Sequence, residues 1–351
     1  MDGEQSVLVT GGSGFLGGWC VVELLQRGYR VRTTVRSLAR EDEVRAGVET
    51  QVPAGDRLTV LAADLTRDEG WAEAIGGCAY VLHVASPFPP AQPKDPDELI
   101  VPARDGTLRV LRESLAAGVE RIVVTSSVAA VRNGNPDGDT SQHVFTEADW
   151  SDPDNTRLTP YTRSKTIAEL AAWDYMREQG QEERLVTVQP GAIIGPLLGP
   201  DRSYSLEAVE RMLIGKVPGI PPIGFSFIDV RDVAKLEVDA MTAPEAAGQR
   251  LLAAGSFMWL AEVAAILRER LGADAAKVPT RSVPSFVVRI LARFDPGIRS
   301  VVADLGKKTT YSLENAERRV GWTPRPLEDT IVECARSLLA EPARAPQPSN
   351  A

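Results

Sequence analysis

At 351 residues, with 43% hydrophobic and 25% charged side chains, the chain is long enough for one large core or two joined lobes. Its net charge of -9 leaves no basic surplus to neutralise phosphates, which argues against a general nucleic-acid or acidic-membrane binder. Three scattered cysteines and two histidines offer neither a disulfide framework nor a histidine-rich metal centre, and no run reaches the roughly 18 apolar residues of a membrane span.

Val7-Leu-Val-Thr10 reads as a short buried strand, followed by Gly11, Gly14 and Gly17 and then apolar residues at helical spacing from Trp19 to Gln26. A strand turning sharply into a helix leaves backbone N–H groups pointing outward, with the positive end of the helix dipole behind them. A pyrophosphate fits such an end. One glycine makes the turn, one lets the ligand approach, and one lets helix and strand pack closely. The spacing G-x-x-G-x-x-G is a variant of the dinucleotide fingerprint, and Gly11, Gly14, Phe15, Leu16 and Gly17 are the expected contacts.

Tyr29 to Arg36 reads as a second strand by its β-branched content. In the NAD form of this fold an acidic residue stands at its end, about 20 residues past the glycines, and binds the ribose 2′-hydroxyl. Here Arg36 and Ser37 stand there, with Arg32 and Arg40 nearby. A guanidinium clamps a 2′-phosphate, so NADPH is expected over NADH, with Arg36 as the clamp.

Leu58 to Leu61 is a third strand, and Asp64 and Leu65 follow at its end. Asp64 either accepts from the adenine amino group or caps the next short helix. Ala79 to Ala85 is a fourth strand; the backbone of Ala85 and Ser86 is expected against the cofactor, because chain leaving a parallel strand lines the crevice. His83, inside an apolar strand, reads as a core histidine. The proline-rich Pro87 to Pro102 reads as a surface excursion beside the substrate mouth.

Leu99 to Ala117 is a long helix ended by Gly118, and Arg121 to Thr125 is a fifth strand running into Ser126-Ser127. Strands alternating with helices at this rhythm mean an α/β fold, a Rossmann-type doubly wound parallel sheet. After a loop-like stretch from 132 to 158, Thr159 as N-cap and Pro160 at the first helical position restart a helix. Arg184 to Gln189 is a sixth strand closed by Pro190-Gly191, and Asp229–Met241 and Met258–Leu271 read as helices. Residues 1–191 are expected to form the cofactor domain, with strands returning from about 225–255. Residues 192–340 then form mainly a smaller α/β substrate lobe with aromatics at Tyr204, Phe225, Phe227 and Trp259, and 341–351 a disordered tail.

Tyr161 and Lys165 are four apart and so share one helical face. A phenol titrating near about 10 is a poor acid at neutral pH. A neighbouring ammonium, with a positively charged nicotinamide, is expected to bring it down. Such a tyrosine protonates the alkoxide formed when hydride lands on a carbonyl, and a strand-end serine, Ser127, holds the carbonyl oxygen. Alone the Y-x-x-x-K pattern is common; behind the glycine turn and the serine it points to redox chemistry.

Thr10-Gly-Gly-Ser-Gly-Phe-Leu-Gly17, Val35-Arg-Ser37, Asp64-Leu65, His83-Val-Ala-Ser-Pro87, Thr125-Ser-Ser127, Tyr161-Thr-Arg-Ser-Lys165 and Gln189-Pro-Gly191 together resemble the extended short-chain dehydrogenase/reductases. The resemblance is to the branch of dihydroflavonol reductases, cinnamoyl-CoA reductases and yeast-type aldehyde/ketone reductases. Phe227 to Ala234 and Gly321-Trp-Thr-Pro324 fit the same branch, so it spans about residues 6 to 335. The resemblance implies a Ser127–Tyr161–Lys165 triad in which Lys165 binds the nicotinamide ribose, with Pro190 and Ile193 flanking the nicotinamide. Arg132 departs from the asparagine that flavonoid reductases carry five residues past the serine. Arg109 stands where the family often has asparagine.

The expected activity is NADPH-dependent reduction of an aldehyde or ketone to an alcohol, on a fairly apolar small molecule. The alternatives are a hydroxysteroid dehydrogenase/isomerase, a sugar-nucleotide epimerase or dehydratase, and a cofactor-sensing protein without catalysis. No metal, nucleic-acid or membrane partner is expected, and the chain is a monomer or homodimer. Met1 to Gln5 lacks the basic start and apolar run of a secretory signal, which makes the cytoplasm the expected compartment.

Overall fold

The computed structural model describes residues 5–87, 93, 95–134, 143–201, 204–294 and 302–340. The expected tail at 341–351, and residues 88–92 and 94 of the proline-rich excursion, lie outside the described residues.

Seven parallel strands make the central sheet: β1 Ser6–Thr10, β2 Arg30–Val35, β3 Leu58–Ala62, β4 Tyr80–His83, β5 Arg121–Thr125, β7 Leu185–Pro190 and β10 Gln249–Ala253. Their order is β10-β7-β5-β4-β1-β2-β3. Val7 pairs with Val31 of β2 on one side and Tyr80 of β4 on the other. Chain order reverses at that point, and the crevice beyond the carboxyl ends of β1 and β4 is where this architecture places ligands. β1 and β7 are buried almost throughout, as strands covered on both faces must be.

Helices α1 Phe15–Gln26 and α7 Val230–Thr242 pack together over one face. Helices α4 Asp97–Ala116 and α5 Pro160–Glu178 pack together over the other. One core joins α1 and α7 to the strand side chains Val7, Val9, Val123 and Val188. The second places Leu8, Val81, Ile122 and Leu185 against Trp173 and Met176 of α5. The alternation along each strand thus sorts its side chains between the two helical layers. The short helices α2 Glu41–Glu49 and α3 Trp71–Ile75 link the β2–β3–β4 edge.

The strands expected to return between about 225 and 255 divide between two sheets. Only β10 joins the main sheet; β8 Ala192–Ile194, β9 Gly224–Asp229 and β11 Ser256–Trp259 form a separate three-stranded sheet in the order β11-β9-β8. Met258 and Trp259 are therefore strand residues, correcting the expected helix, and α8 begins at Leu260 and ends at Leu271. Asp229 caps α7 by accepting from the Arg231 N–H at 2.8 Å. The remaining described elements are β6 Val144–Phe145 paired with β12 Thr310–Tyr311, and helices α6 Tyr204–Leu213, α9 Ser285–Leu291, α10 Glu314–Val320 and α11 Leu327–Ala340. Phe227 is 1% exposed and belongs to the core, not to a pocket wall.

Candidate active site

The glycine turn is built by contacts that leave no room for a β-carbon. Gly11 has φ +75, and a Cβ on Gly17 would stand 2.2 Å from the Gly11 carbonyl oxygen. Gly12, which the fingerprint does not mark, is as constrained: its Cβ would lie 2.0 Å from Thr33 Oγ1. The Gly11 and Gly12 N–H groups donate back to Thr34 Oγ1 and Thr34 O, both at 3.2 Å, rather than outward. Gly14 N–H closes on the Gly11 carbonyl at 2.9 Å. The amides left for an anion are those of the first helical turn, Phe15, Leu16 and Gly17, which have no carbonyl one turn back within the helix. The Phe15 and Leu16 side chains are buried, so any contact they make is through backbone.

Across the crevice, Thr10 Oγ1 accepts the Ala85 N–H at 2.9 Å and is hydrogen-bonded to His83 Nδ1 at 2.9 Å. The Ala85 amide is thus committed to β1, which narrows the expected cofactor contact there to its carbonyl and to Ser86. His83 is 2% exposed, and burial, then the Lys165 charge, push it down to about 3. It is a neutral structural histidine.

The three arginines beside β2 separate. Arg32 donates to the carbonyls of Glu73 at 3.0 Å and Gly76 at 2.6 Å, and Arg40 pairs with Glu43. Arg36 is exposed past the strand end, its charge reaching Asp64. Asp64 Oδ1 accepts from the Thr66 N–H at 2.8 Å and its hydroxyl at 2.7 Å, a local cap. Those two bonds lead in holding its carboxyl below the usual range. Leu65 packs against Gly106 of α4, and its carbonyl accepts from Arg109, which also pairs with Asp68.

Thr159 caps α5, its Oγ1 accepting the Thr162 N–H at 3.1 Å, with Pro160 opening the helix. Tyr161 therefore sits in the first turn. Its phenol is hydrogen-bonded to the Ser127 side chain. Ser127 Oγ also accepts the Ala129 N–H at 3.1 Å, capping the turn Val128–Ala130 that follows β5. Ser126 faces the other way, donating to Glu169. One turn beyond Tyr161, Lys165 is 9% exposed and its Nζ donates to the Thr125 carbonyl at 3.4 Å. Pro190 ends β7 opposite Ala253, and Ile193 lies half-buried in β8.

The electrostatics differ from the expectation at one point. Burial pushes the Tyr161 phenol above its ordinary value, and the Ser127 hydrogen bond opposes this. Burial instead lowers Lys165 to about 8, with Glu169 and Glu237 holding it up. Glu237, on α7, is fully buried; its Oε1 accepts the Thr125 hydroxyl at 2.5 Å and its Oε2 the Cys20 thiol at 3.4 Å. The sequence reading missed both glutamates. Glu169 had a signal, lying four residues past Lys165; Glu237 had only its position among the apolar residues of α7.

The glycine cradle, the first-turn amides, the cation past β2 and the Ser127–Tyr161–Lys165 cluster together suit a dinucleotide with its reactive end beside Tyr161. Among the described residues no group of three His, Cys, Asp or Glu could hold a metal ion, and no helix is long and apolar enough to cross a membrane.

The model of the NAD dependent epimerase/dehydratase family matches residues 7–254. Cinnamoyl-CoA reductase 1 of Petunia hybrida is 37% identical over 266 residues, 75% of this chain and 76% of that one. Dihydroflavonol 4-reductase of Zea mays is 34% identical, over 76% of this chain and 74% of that one. The structure of Gre2 from Candida albicans in complex with NADPH superposes with a TM-score of 0.78 at 26% identity, covering 96% of this chain and 99% of that one.

Proposed function

The chain belongs to the NAD dependent epimerase/dehydratase family, and from that premise we propose that it is an NADPH-dependent reductase converting an aldehyde or ketone to an alcohol. The observation that carries this reading is the hydrogen bond between Ser127 and Tyr161, with Lys165 one turn further on. That cluster lies at the carboxyl ends of the strands flanking the crevice. The first-turn amides of α1 would hold the pyrophosphate of NADPH, Arg36 its 2′-phosphate and Lys165 its nicotinamide ribose, with Pro190 and Ile193 beside its nicotinamide. When bound, NADPH supplies hydride to the carbonyl carbon. Ser127 Oγ donates to the carbonyl oxygen and holds it against Tyr161. The Tyr161 phenol transfers its proton to that oxygen as negative charge develops there.

Net reduction is favoured over epimerisation or dehydration by a cation, rather than a carboxylate, at the end of β2 and by relatives that are reductases. The substrate is a small, fairly apolar carbonyl compound, and residues 192–340, where Phe225, Phe257 and Trp259 are only partly buried on the three-stranded sheet, form most of its pocket.

Following NADPH absorbance against a panel of aldehydes, ketoesters and aryl ketones tests the reading. Turnover is expected with NADPH above NADH. Tyr161→Phe should lose about 10²–10⁴-fold in turnover while binding NADPH as the wild type does. Wild-type turnover in that variant would remove Tyr161 from the reaction, and tight NADPH binding without turnover of any carbonyl would favour a sensor.

A further inference from the structure

Glu169 is 1% exposed and lies on α5 one turn past Lys165, hence on the same face. Its Oε1 accepts from Thr187 Oγ1 at 2.9 Å, Gln189 Nε2 at 2.6 Å and Arg250 Nε at 2.8 Å, while its Oε2 accepts the Ser126 hydroxyl. These donors come from β7, β10 and the exit of β5. Arg250 is itself seated, its guanidinium 3.5 Å from the centre of the Trp150 ring and donating to the Asp149 carbonyl at 2.8 Å. Tying α5 to the sheet needs no charge. A buried ion pair is an expensive way to do it, since an apolar replacement of similar volume is often neutral or stabilising. The charge therefore calls for a use, and Lys165 is next to it.

Resting on the reductase reading, we propose that Glu169 is the positioning residue for Lys165: its carboxylate keeps the ammonium charged, and its bond to Ser126 sets the end of β5 from which Ser127 projects. Among the groups facing Lys165, the carboxylates are Glu169 on its own helix and Glu237 on α7, with neutral His83 on β4 and the Thr125 carbonyl on β5. Thr107 supplies a hydroxyl from α4 to the same cavity. Burial has brought Lys165 to about 8, close enough to working pH that loss of a supporting carboxylate changes its charge.

The test is an NMR titration of the lysine side-chain ammonium groups in the full chain, with Lys165→Met assigning the resonance, run beside the pH profile of turnover. In Glu169→Gln the Lys165 midpoint and the basic limb of the profile should both move down by about one pH unit. In Glu169→Asp, which keeps the charge and loses hydrogen bonds, both should stay in place while stability falls. Should Glu169→Gln not fold, Glu169→Gln/Arg250→Met strands no buried charge and should move both in the same direction by a smaller amount. An unmoved Lys165 midpoint in the neutral variant, or equal loss of turnover at every pH in Gln and Asp variants, overturns the proposal. Tyr161→Phe and Lys165→Met are the controls. If they keep wild-type turnover the reductase reading fails, whereas if they lose it and Glu169→Gln leaves the titration unmoved, only the positioning role fails.

Discussion

Two buried groups near the strand ends titrate in opposite senses, and their pH windows are separate. Burial raises Glu237 from an ordinary 4.5 to about 7, against the bonds from Thr125 and Cys20 and the charge of Lys165. Between those values the folded chain holds a proton that the unfolded chain has released. The contribution is therefore complete at low pH and is lost as pH rises through about 7, a swing of at most about 3 kcal/mol. Glu237→Gln does not titrate, so its melting temperature relative to wild type should climb between pH 4.5 and 7; a flat difference counts against the buried-acid account. Lys165 works the other way. Lowered from 10.5 to about 8, it adds stability only as pH rises across that interval, which leaves the lower window to Glu237. At the far end of the crevice, Arg36 is the cation that the structure leaves exposed, Arg32 and Arg40 being engaged within the fold. Arg36→Ala should weaken NADPH binding by about 10–100-fold, the worth of a charge-assisted hydrogen bond, and leave NADH binding nearly unchanged. Equal weakening of both nucleotides in a binding titration would move the 2′-phosphate contact elsewhere.

At the level of elements, the start of α5 is the joint on which the chemistry turns. Thr159→Ala removes the cap that holds the turn carrying Tyr161, at a cost of about 1 kcal/mol. Urea midpoints should report that loss, and turnover should fall further than nucleotide affinity, because fraying there moves the phenol away from Ser127. This joint was legible in the sequence, since Thr-Pro is a local signal, and so were the glycine turn and the first five strands, each a short apolar run between turn residues. What could not be read depends on contacts between distant residues. Met258 and Trp259 become strand only through pairing with Phe225 and Gly224, and four residues are too few for a period to separate strand from helix. Arg32, Arg36 and Arg40 look alike along the chain; the carbonyls of Glu73 and Gly76 and the carboxylate of Glu43 tell them apart. The cage around Glu169 needs β10 beside β7, a pairing of residues such as Arg250 and Thr187 that nothing local announces.

Over the whole molecule, the C-terminal segments lock back onto the early ones. Trp322 is 1% exposed, and its indole N–H donates to the Asp232 carbonyl at 2.8 Å, while Asp232 accepts from Arg325 N–H at 2.8 Å. On α11, the Thr330 hydroxyl donates to Asp229 at 2.8 Å. Trp322→Ala should cost about 3–5 kcal/mol in urea unfolding. Phe286→Ala, at a side chain 63% exposed, should stay within about 0.5 kcal/mol of wild type. A chain leaving the ribosome lays down β1 first, in what becomes the interior of the sheet, and β2 and β3 close that flank outward. β4 then docks on the free edge of β1, and each later main-sheet strand, β5, β7 and then β10, docks on the outer edge left by the one before it. Growth at that rim runs in synthetic order, so no strand has to be inserted between two already paired. The rim stays open until Arg250 arrives with β10, and a nascent chain halted before residue 249 would present a bare β7 edge to its neighbours.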